Sequence, residues 1–293
     1  MKKVILLAGL LLVGVSCSKS EGENIGGGVV QQQESAVYPK EKKGDDQNYT
    51  TTAYELDNGG KVKKVVEETY QAGQKKDIYT RITEVTYTNK KYPTKLSEKQ
   101  NENTRQLEYT YDSKDRVTVM NLTQGSNNSK RIFEYDNEGR ITKETLTQPG
   151  ALPTATTYTY TGNTVVEKES TSPNTTKTYT FEKGNLVKEV YEQKDEAGNI
   201  AFSETKTYEY DTTIKNPAAS IEHRLVSLNY FYNPLFSKEN SENVVTKEVS
   251  KYSERGREEV RTVTYTYEKN NEGYPTKATE VREGNRSVTV FTY

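Results

Sequence analysis

The chain contains very few of the residues on which disulfides, metal centres and nucleophilic triads depend. Its 293 residues include one cysteine, one histidine and no tryptophan. One cysteine excludes intrachain disulfides and multi-cysteine metal sites, and one histidine supports neither a multi-histidine site nor an evident catalytic triad. The net charge of −1 gives no indication of the dense basic face that nucleic-acid binding requires. We therefore predict no metal, no cofactor, no nucleic-acid partner and no enzymatic activity.

Apolar residues are also scarce. Only 31% of the chain is hydrophobic, a fraction that in many chains indicates disorder. The 23 tyrosines oppose that interpretation because their rings supply apolar area despite a polar hydroxyl. Tyr, Thr and Val all favour strands, so the composition predicts an all-β fold with a thin or one-sided core.

The first 17 residues have the three-part layout of a bacterial lipoprotein signal peptide. Two lysines precede an apolar run over 4–13, and small residues then lead to Cys17. The run is too short to cross a bilayer, which takes roughly 20 residues. We predict that residues 1–17 form the signal and that Cys17 is lipidated, so that the exported protein is held on a membrane.

The residues that follow Cys17 predict a flexible tether over 18–48. They are rich in Gly, Gln and mixed charges, and they include the charge run at 40–43. A coil of this length reaches on the order of 30 Å. The early glutamates Glu21 and Glu23 resemble the surface-export signal of Bacteroidetes lipoproteins. That resemblance implies a lipid-anchored outer-membrane protein, on the cell surface in preference to the periplasmic face.

A repeated pair of aromatics two residues apart dominates the remaining sequence. This spacing places both rings on one face of a strand. The pairs are Tyr109/Tyr111, Phe133/Tyr135, Tyr158/Tyr160, Tyr179/Phe181, Tyr208/Tyr210, Tyr265/Tyr267 and Phe291/Tyr293. Turn residues and a second strand follow most pairs, which predicts β-hairpins at intervals of about 24 residues. Residues 49–293 are thus expected to form an elongated antiparallel β meander, as a single curved sheet or an open barrel-like sheet.

An insertion interrupts the repeat at about 212–245. The second aromatics Tyr210 and Tyr267 lie 57 residues apart, and the apolar run 225–236 falls between them. One interpretation is a capping or core-filling segment that covers exposed sheet. The other is a ligand-facing insertion, because elements that interrupt a repeat array often line its binding face. The possible binding face consists of His223, Tyr230, Phe231 and Tyr232.

Two motif types in the repeats resemble known families. The segments 109–117 and 133–141, each with Tyr-Asp before a later Arg, resemble YD repeats. Tyr92-Pro93-Thr94-Lys95 and its echo at 273–277 are similar to uncharacterised β-rich Bacteroidetes lipoproteins that carry a domain of unknown function. The similarity extends from about residue 50 to the end. It implies the fold and the compartment, and it assigns no catalytic residue.

These features favour a membrane-anchored binding or scaffold module with a glycan or protein partner. A carbohydrate-active enzyme, or a glycan-binding accessory subunit, is the alternative hypothesis. The alternative requires carboxylates and tyrosines to be gathered in one cleft.

Overall fold

The computed structural model describes residues 36–232, 235–254 and 256–293. The predicted signal peptide, Cys17 and the tether as far as residue 35 lie outside the described residues. Within that part of the chain, no helix is both long enough and apolar enough to cross a membrane.

Strands make up most of the described chain. In order they are β1 Lys40–Gly44, β2 Tyr49–Leu56, β3 Val62–Gln71, β4 Gln74–Lys75, β5 Arg81–Thr86, β6 Lys95–Gln100, β7 Asn103–Tyr111, β8 Val117–Gln124, β9 Asn127–Tyr135, β10 Ile141–Thr147, β11 Thr154–Thr161, β12 Thr164–Glu169, β13 Thr175–Glu182, β14 Asn185–Lys194, β15 Ile200–Lys215, β16 Asn243–Glu254, β17 Arg257–Lys269, β18 Pro275–Arg282 and β19 Asn285–Thr292. The helices are short: α1 Ile221–Leu225 and the 3-10 helices Asp77–Tyr79, Pro217–Ala219, Leu228–Phe231 and Lys238–Asn240.

The strands close into an antiparallel barrel. Apart from β4, which pairs with β3 alone, each strand pairs with its neighbours along the chain, and β1 pairs with both β2 and β19. Because β4 is a two-residue strand beside β3, the wall has 18 strands. The predicted all-β antiparallel meander is therefore confirmed. The expectation of a single curved sheet or open barrel is wrong, because β1 and β19 leave no free edge between them.

The predicted boundary between tether and domain at residue 48 is also wrong. The charge run at 40–43 forms β1, where Lys42 is opposite Thr51 on one side and Val290 on the other. Glu41 faces the barrel lumen. The inside of this barrel accepts charged side chains, so a strand of its wall can be charged on both faces. The polarity of the run 40–43 therefore does not distinguish a strand from a flexible tether.

The two ends of the barrel differ. At one end β1 begins and β19 ends, and the segment 216–242 leaves the wall between β15 and β16. We call this the insertion end. The opposite end carries connections such as 101–102, 125–126 and 195–199, and we call it the open end.

The outer face of the wall is polar. Exposed outward positions include Glu108, Thr110, Glu134, Thr157, Thr159, Thr207, Glu209, Thr262, Thr264 and Thr266. Cross-strand ion pairs lie on this face, with Lys143 Nζ 2.8 Å from Glu134 and Lys247 Nζ 2.9 Å from Glu209. A charged side chain facing lipid at the bilayer midplane costs about 2–4 kcal/mol. The described outer face carries many charged and hydroxyl-bearing side chains.

Tyrosine hydroxyls explain the second aromatic of the repeat. Tyr135 Oη donates to the carbonyl of Val117 at 2.6 Å, and Tyr160 Oη donates to the carbonyl of Ile141 at 2.8 Å. The same bond to the start of an earlier strand is made by Tyr111, Tyr210, Tyr267 and Tyr293. Each hydroxyl satisfies a carbonyl at the insertion end, so the repeated tyrosine fastens one hairpin to the hairpin before it.

The aspartate and arginine after two of the pairs form the turns. Asp112 Oδ1 accepts the backbone amides of Lys114 and Arg116, and the Arg116 guanidinium lies over the Tyr135 ring. Asp136 and Arg140 repeat this arrangement in the next hairpin. The motif that resembles YD repeats therefore specifies turn geometry.

The described residues of the segment 216–242 fold into the barrel, and we call this segment the plug. Asn216 Nδ2 donates to the carbonyl of Ser241, which brings the two ends of the plug together. Leu225 is fully buried, and its carbonyl accepts a hydrogen bond of 3.0 Å from Tyr109 Oη. Phe236 contacts the rings of Tyr158, Tyr179 and Phe181 on the wall. The plug therefore completes the apolar core at the insertion end.

Candidate binding cavity

The plug forms the floor of a large cavity inside the barrel. The cavity has a volume of about 850 Å³. Its wall comes from β9 to β16, and its floor comes from plug residues between His223 and Asn240. A smaller lobe of about 290 Å³ lies against β1 to β6 and shares His223, Ser227 and Asn229 with the main cavity. The insertion thus both fills the core and faces the cavity, as the two interpretations of the sequence separately proposed.

Among the described residues, all but one of the cations that line the cavity are paired with a glutamate. Arg131 on β9 is 2.5 Å from Glu144 on β10, and both side chains are only 9% exposed. Lys177 Nζ is 2.8 Å from Glu167, and Lys206 Nζ is 3.1 Å from Glu204. Lys238 of the plug pairs with Glu248 on β16. Pairing compensates for the loss of water, which is the condition under which a barrel interior tolerates charge.

Tyrosines hold the carboxylates from the neighbouring strands. Tyr179 Oη donates to Glu167 at 2.8 Å, and Tyr208 Oη donates to Glu189 at 2.9 Å. Burial raises the pKa of Glu189, although the bond from Tyr208 and the charge of Lys206 act in the opposite direction. Burial likewise raises the pKa of Glu144 above its ordinary value, partly offset by Arg131. The result is a fixed polar lining with alternating hydrogen-bond donors and acceptors.

His223 lies where the two lobes meet. Its Nε2 is 3.2 Å from Tyr54 Oη, and its ring stacks on Tyr38 with centroids 5.6 Å apart. Burial, with a smaller contribution from the charge of Arg224, lowers the pKa of His223 to about 4. The imidazole is therefore neutral near pH 7. In the part of the chain that the structure describes, no cluster of three His, Cys, Asp or Glu side chains could hold a metal ion.

Three of the four residues that we predicted as a binding face line the cavity. They are His223, Tyr230 and Tyr232. Phe231 does not face the cavity; it is 1% exposed and packs beside the Arg131 guanidinium. Since side chains in this 3-10 turn point in different directions, consecutive aromatics cannot share one face. Ligand binding by these residues stays a prediction.

Sequence reasoning missed the charged lining, although its signal is present. Arg131, Lys177 and Lys206 each precede the first aromatic of a pair by two residues. They must therefore face the lumen as the aromatics do. Charged residues in strands usually lie on the solvent-exposed face, because the inner face of a sheet is usually dry, so the residue types alone favour the wrong face.

Comparisons with known proteins give structural neighbours only. No family model and no curated protein matches the chain. A crystal structure of a porin-like protein from Bacteroides uniformis ATCC 8492 aligns with a TM-score of 0.46 and 16% identity, covering 88% of this chain and 96% of that one. A second, of a porin-like protein from Bacteroides vulgatus ATCC 8482, aligns with a TM-score of 0.44 and 14% identity, covering 88% and 98%.

Proposed function

We propose that this protein is a lipid-anchored, outer-membrane binding module that holds a polar ligand, an oligosaccharide, inside its barrel. The observation that carries the proposal is the cavity of about 850 Å³ above the plug. Its size falls within the range of about 300–1,000 Å³ typical of small-molecule sites. Paired charges and tyrosine hydroxyls supply the dense hydrogen bonding that a polyhydroxylated ligand needs.

The geometry favours a receptor over a pore. The outer wall carries Thr, Lys and Glu in place of the apolar band that lipid requires. The described residues of the plug pack against the wall at the insertion end, so they obstruct the lumen there. We infer that the barrel stands in water and that the predicted lipid on Cys17 supplies the membrane contact.

The tether reaches the barrel at its insertion end, because β1 begins there at Lys40. If Cys17 is lipidated, the plugged end is the end nearest to the membrane along the chain. The open end, toward which Thr156, Glu169 and Lys177 line the cavity, is then free to admit a ligand from the surrounding water. This arrangement suits capture of a soluble ligand.

Binding is tested with the unlipidated chain from residue 18 onward on a glycan array, followed by calorimetry. Asn229, which is exposed and lines the cavity, provides a blocking variant, Asn229→Trp. Thr157→Trp places the same bulk on the outer wall as its control. We expect at least tenfold weaker binding for Asn229→Trp only. Equal binding by both variants, or no glycan bound by the parent chain, would contradict the proposal.

The anchor requires a separate experiment. We expect Cys17→Ala to release the protein from the membrane fraction, and protease treatment of intact cells to degrade the lipidated form. Retention of the alanine variant in the membrane would refute lipidation at Cys17. Protection from the protease would place the barrel on the periplasmic face.

The enzyme alternative has one observation in its favour, namely that the structure gathers Glu144, Glu167 and Glu189 around one cavity. Glu189, with its raised pKa and no direct ion pair among the described residues, is the best candidate for a proton donor. Release of reducing ends from the glycans that bind, abolished in Glu189→Gln, would establish this alternative. Binding without turnover would support the receptor.

A further inference from the structure

Arg224 differs from the other cations that line the main cavity. Arg131, Lys177, Lys206 and Lys238 each form an ion pair with a glutamate. Arg224 lies on α1 in the cavity floor. Across the described ranges its guanidinium has neither an ion pair nor a hydrogen bond. Its Nε is closed off from solvent and has no partner.

The surroundings of Arg224 make this isolation costly. The side chain is deep inside the barrel, and its remaining accessible surface faces the cavity. Burial lowers the pKa of Arg224, while the nearby phenol of Tyr230 acts weakly in the opposite direction. An arginine nevertheless stays protonated at any ordinary pH. A buried unpaired charge opposes folding, and natural chains retain one mainly where function uses it.

The local structure holds Arg224 in place. Ser220 caps α1 because its Oγ accepts a hydrogen bond of 3.0 Å from the amide of His223, and the His223 ring packs against Tyr38 and Tyr54. Ser227 and Asn229 line the same cavity, so neutral donors lie in the same floor as the guanidinium. A group that enters from the open end would meet a fixed positive charge among hydrogen-bond donors.

We propose that Arg224 binds an oxyanion of the ligand, and that the ligand is therefore an acidic carbohydrate. The carbohydrate part rests on the proposed function, whereas the anion site rests on Arg224 alone. The planar guanidinium presents parallel N–H groups that match a carboxylate, a sulfate or a phosphate. Among the cations of the described lining, Arg224 is the one whose charge no glutamate pairs, so an anionic group of the ligand has its best-placed partner there.

The anion site is tested first without any carbohydrate. Thermal unfolding is measured in acetate, sulfate or phosphate against chloride at constant ionic strength. The chains are the parent, Arg224→Gln, and Arg257→Gln, which removes an exposed arginine outside the cavity. We expect oxyanions to raise the melting temperature of the parent and of Arg257→Gln more than that of Arg224→Gln, which keeps only the general stabilisation by these salts. We also expect Arg224→Gln to melt higher than the parent in chloride.

A lower melting temperature for Arg224→Gln in chloride, together with the same oxyanion effect as the parent, would overturn the anion site. The variant Arg224→Met preserves the length of the side chain and checks whether the glutamine amide alters packing. An unpaired charge predicts stabilisation by both substitutions. A structural arginine predicts destabilisation by both.

The ligand class is tested by calorimetry with a uronic-acid oligosaccharide, its neutral counterpart of the same linkage and a sulfated counterpart. We expect the acidic ligand to bind the parent at least tenfold more tightly than the neutral one, and Arg224→Gln to abolish that difference. Equal affinities in both proteins would leave the cavity as a glycan site and refute the role of Arg224. An oxyanion effect without carbohydrate binding would refute the proposed function and leave Arg224 as a site for small anions.

Discussion

The two halves of the barrel lumen are built by the same strands and have opposite chemistry. On β9, the inward positions from the insertion end to the open end are Tyr135, Phe133 and Arg131. In the same direction, the inward positions of β13 are two aromatics followed by Lys177, and those of β15 are two aromatics followed by Lys206. Toward the insertion end the plug covers the rings and excludes water, whereas toward the open end charges face a cavity. The difference shows that one strand can supply both a core and a binding surface when a plug divides its length.

The test with the largest expected effect removes the central side chain of the plug, which separates the apolar half of the lumen from the polar half. Phe231 is 1% exposed, so Phe231→Ala leaves an unfilled cavity in the apolar core toward the insertion end. We expect the free energy of unfolding to fall by about 3–5 kcal/mol in urea titration. Tyr232→Ala is the control, since Tyr232 is 46% exposed and its loss should change stability by at most about 0.5 kcal/mol. Equal effects would mean that the plug is not part of the core.

The second test compares the stability contributed by an ion pair on the inner face of one hairpin with that of an ion pair on its outer face. Glu144→Ala leaves Arg131 buried without its partner, and we expect a loss of about 3–5 kcal/mol. Glu134→Ala breaks the pair with Lys143 on the outer wall of the same hairpin. That exposed pair contributes at most about 1 kcal/mol. Urea titration of both variants measures the contrast, and similar losses would refute the inward assignment of the Arg131–Glu144 pair.

The third test measures how stability depends on pH through His223, which lies in the plug at the floor of the cavity. The pKa of His223 is about 4 in the folded protein, below its ordinary value of 6.5. Between these values the unfolded chain binds a proton that the folded chain does not, so unfolding becomes easier as pH falls. We expect His223 to account for a loss of up to about 3 kcal/mol between pH 6.5 and 4, with no further loss below that range.

His223→Asn isolates this effect from the other titrating groups. Carboxyls with raised pKa, including Glu144 and Glu189, stabilise the fold as pH falls and therefore oppose the histidine. The difference in unfolding free energy between the parent and His223→Asn should thus shrink or reverse from pH 7 to pH 4. A difference that stays constant with pH would show that His223 is not held neutral.

The smallest expected effect concerns the repeat itself. Tyr135→Phe removes the hydrogen bond to the carbonyl of Val117 and keeps the ring beneath Arg116. We expect a loss of about 0.5–1.5 kcal/mol in thermal or urea unfolding. Tyr191→Phe, a wall tyrosine whose ring packs on Phe202, should change stability by less than about 0.5 kcal/mol. Equal losses of stability in the two variants would show that the hydroxyl hydrogen bond does not explain why the second aromatic of the repeat is a tyrosine.

The hairpins were predictable because their signals are local. An aromatic at i and i+2, followed by turn residues, determines strand, face and turn within about ten residues, as in Phe133-Glu134-Tyr135-Asp136. Closure was not predictable, because the pairing of Lys42 with Val290 depends on the curvature accumulated by all the intervening strands. Alternation alone fits an open sheet equally well.

The candidate site was predictable only in part. The apolar run near 225–236 marks a segment that must be buried, and the structure places its described apolar side chains in the core inside the barrel. The pairing of Arg131 with Glu144, or the isolation of Arg224, depends on which strands curve toward the plug. No spacing in the sequence encodes those distances, so the polar cavity could not be derived from it.

Closure by β1 and β19 also has a consequence for how the chain folds. Each hairpin can form from neighbouring residues, but the strand pair Lys40–Lys43 with Thr289–Thr292 joins segments about 250 residues apart. Until β19 has been made and has paired with β1, a growing sheet therefore has two unpaired edges. We expect the partly completed chain to be the form most prone to aggregation, and the last strand to arrive to be the one that ends this vulnerability.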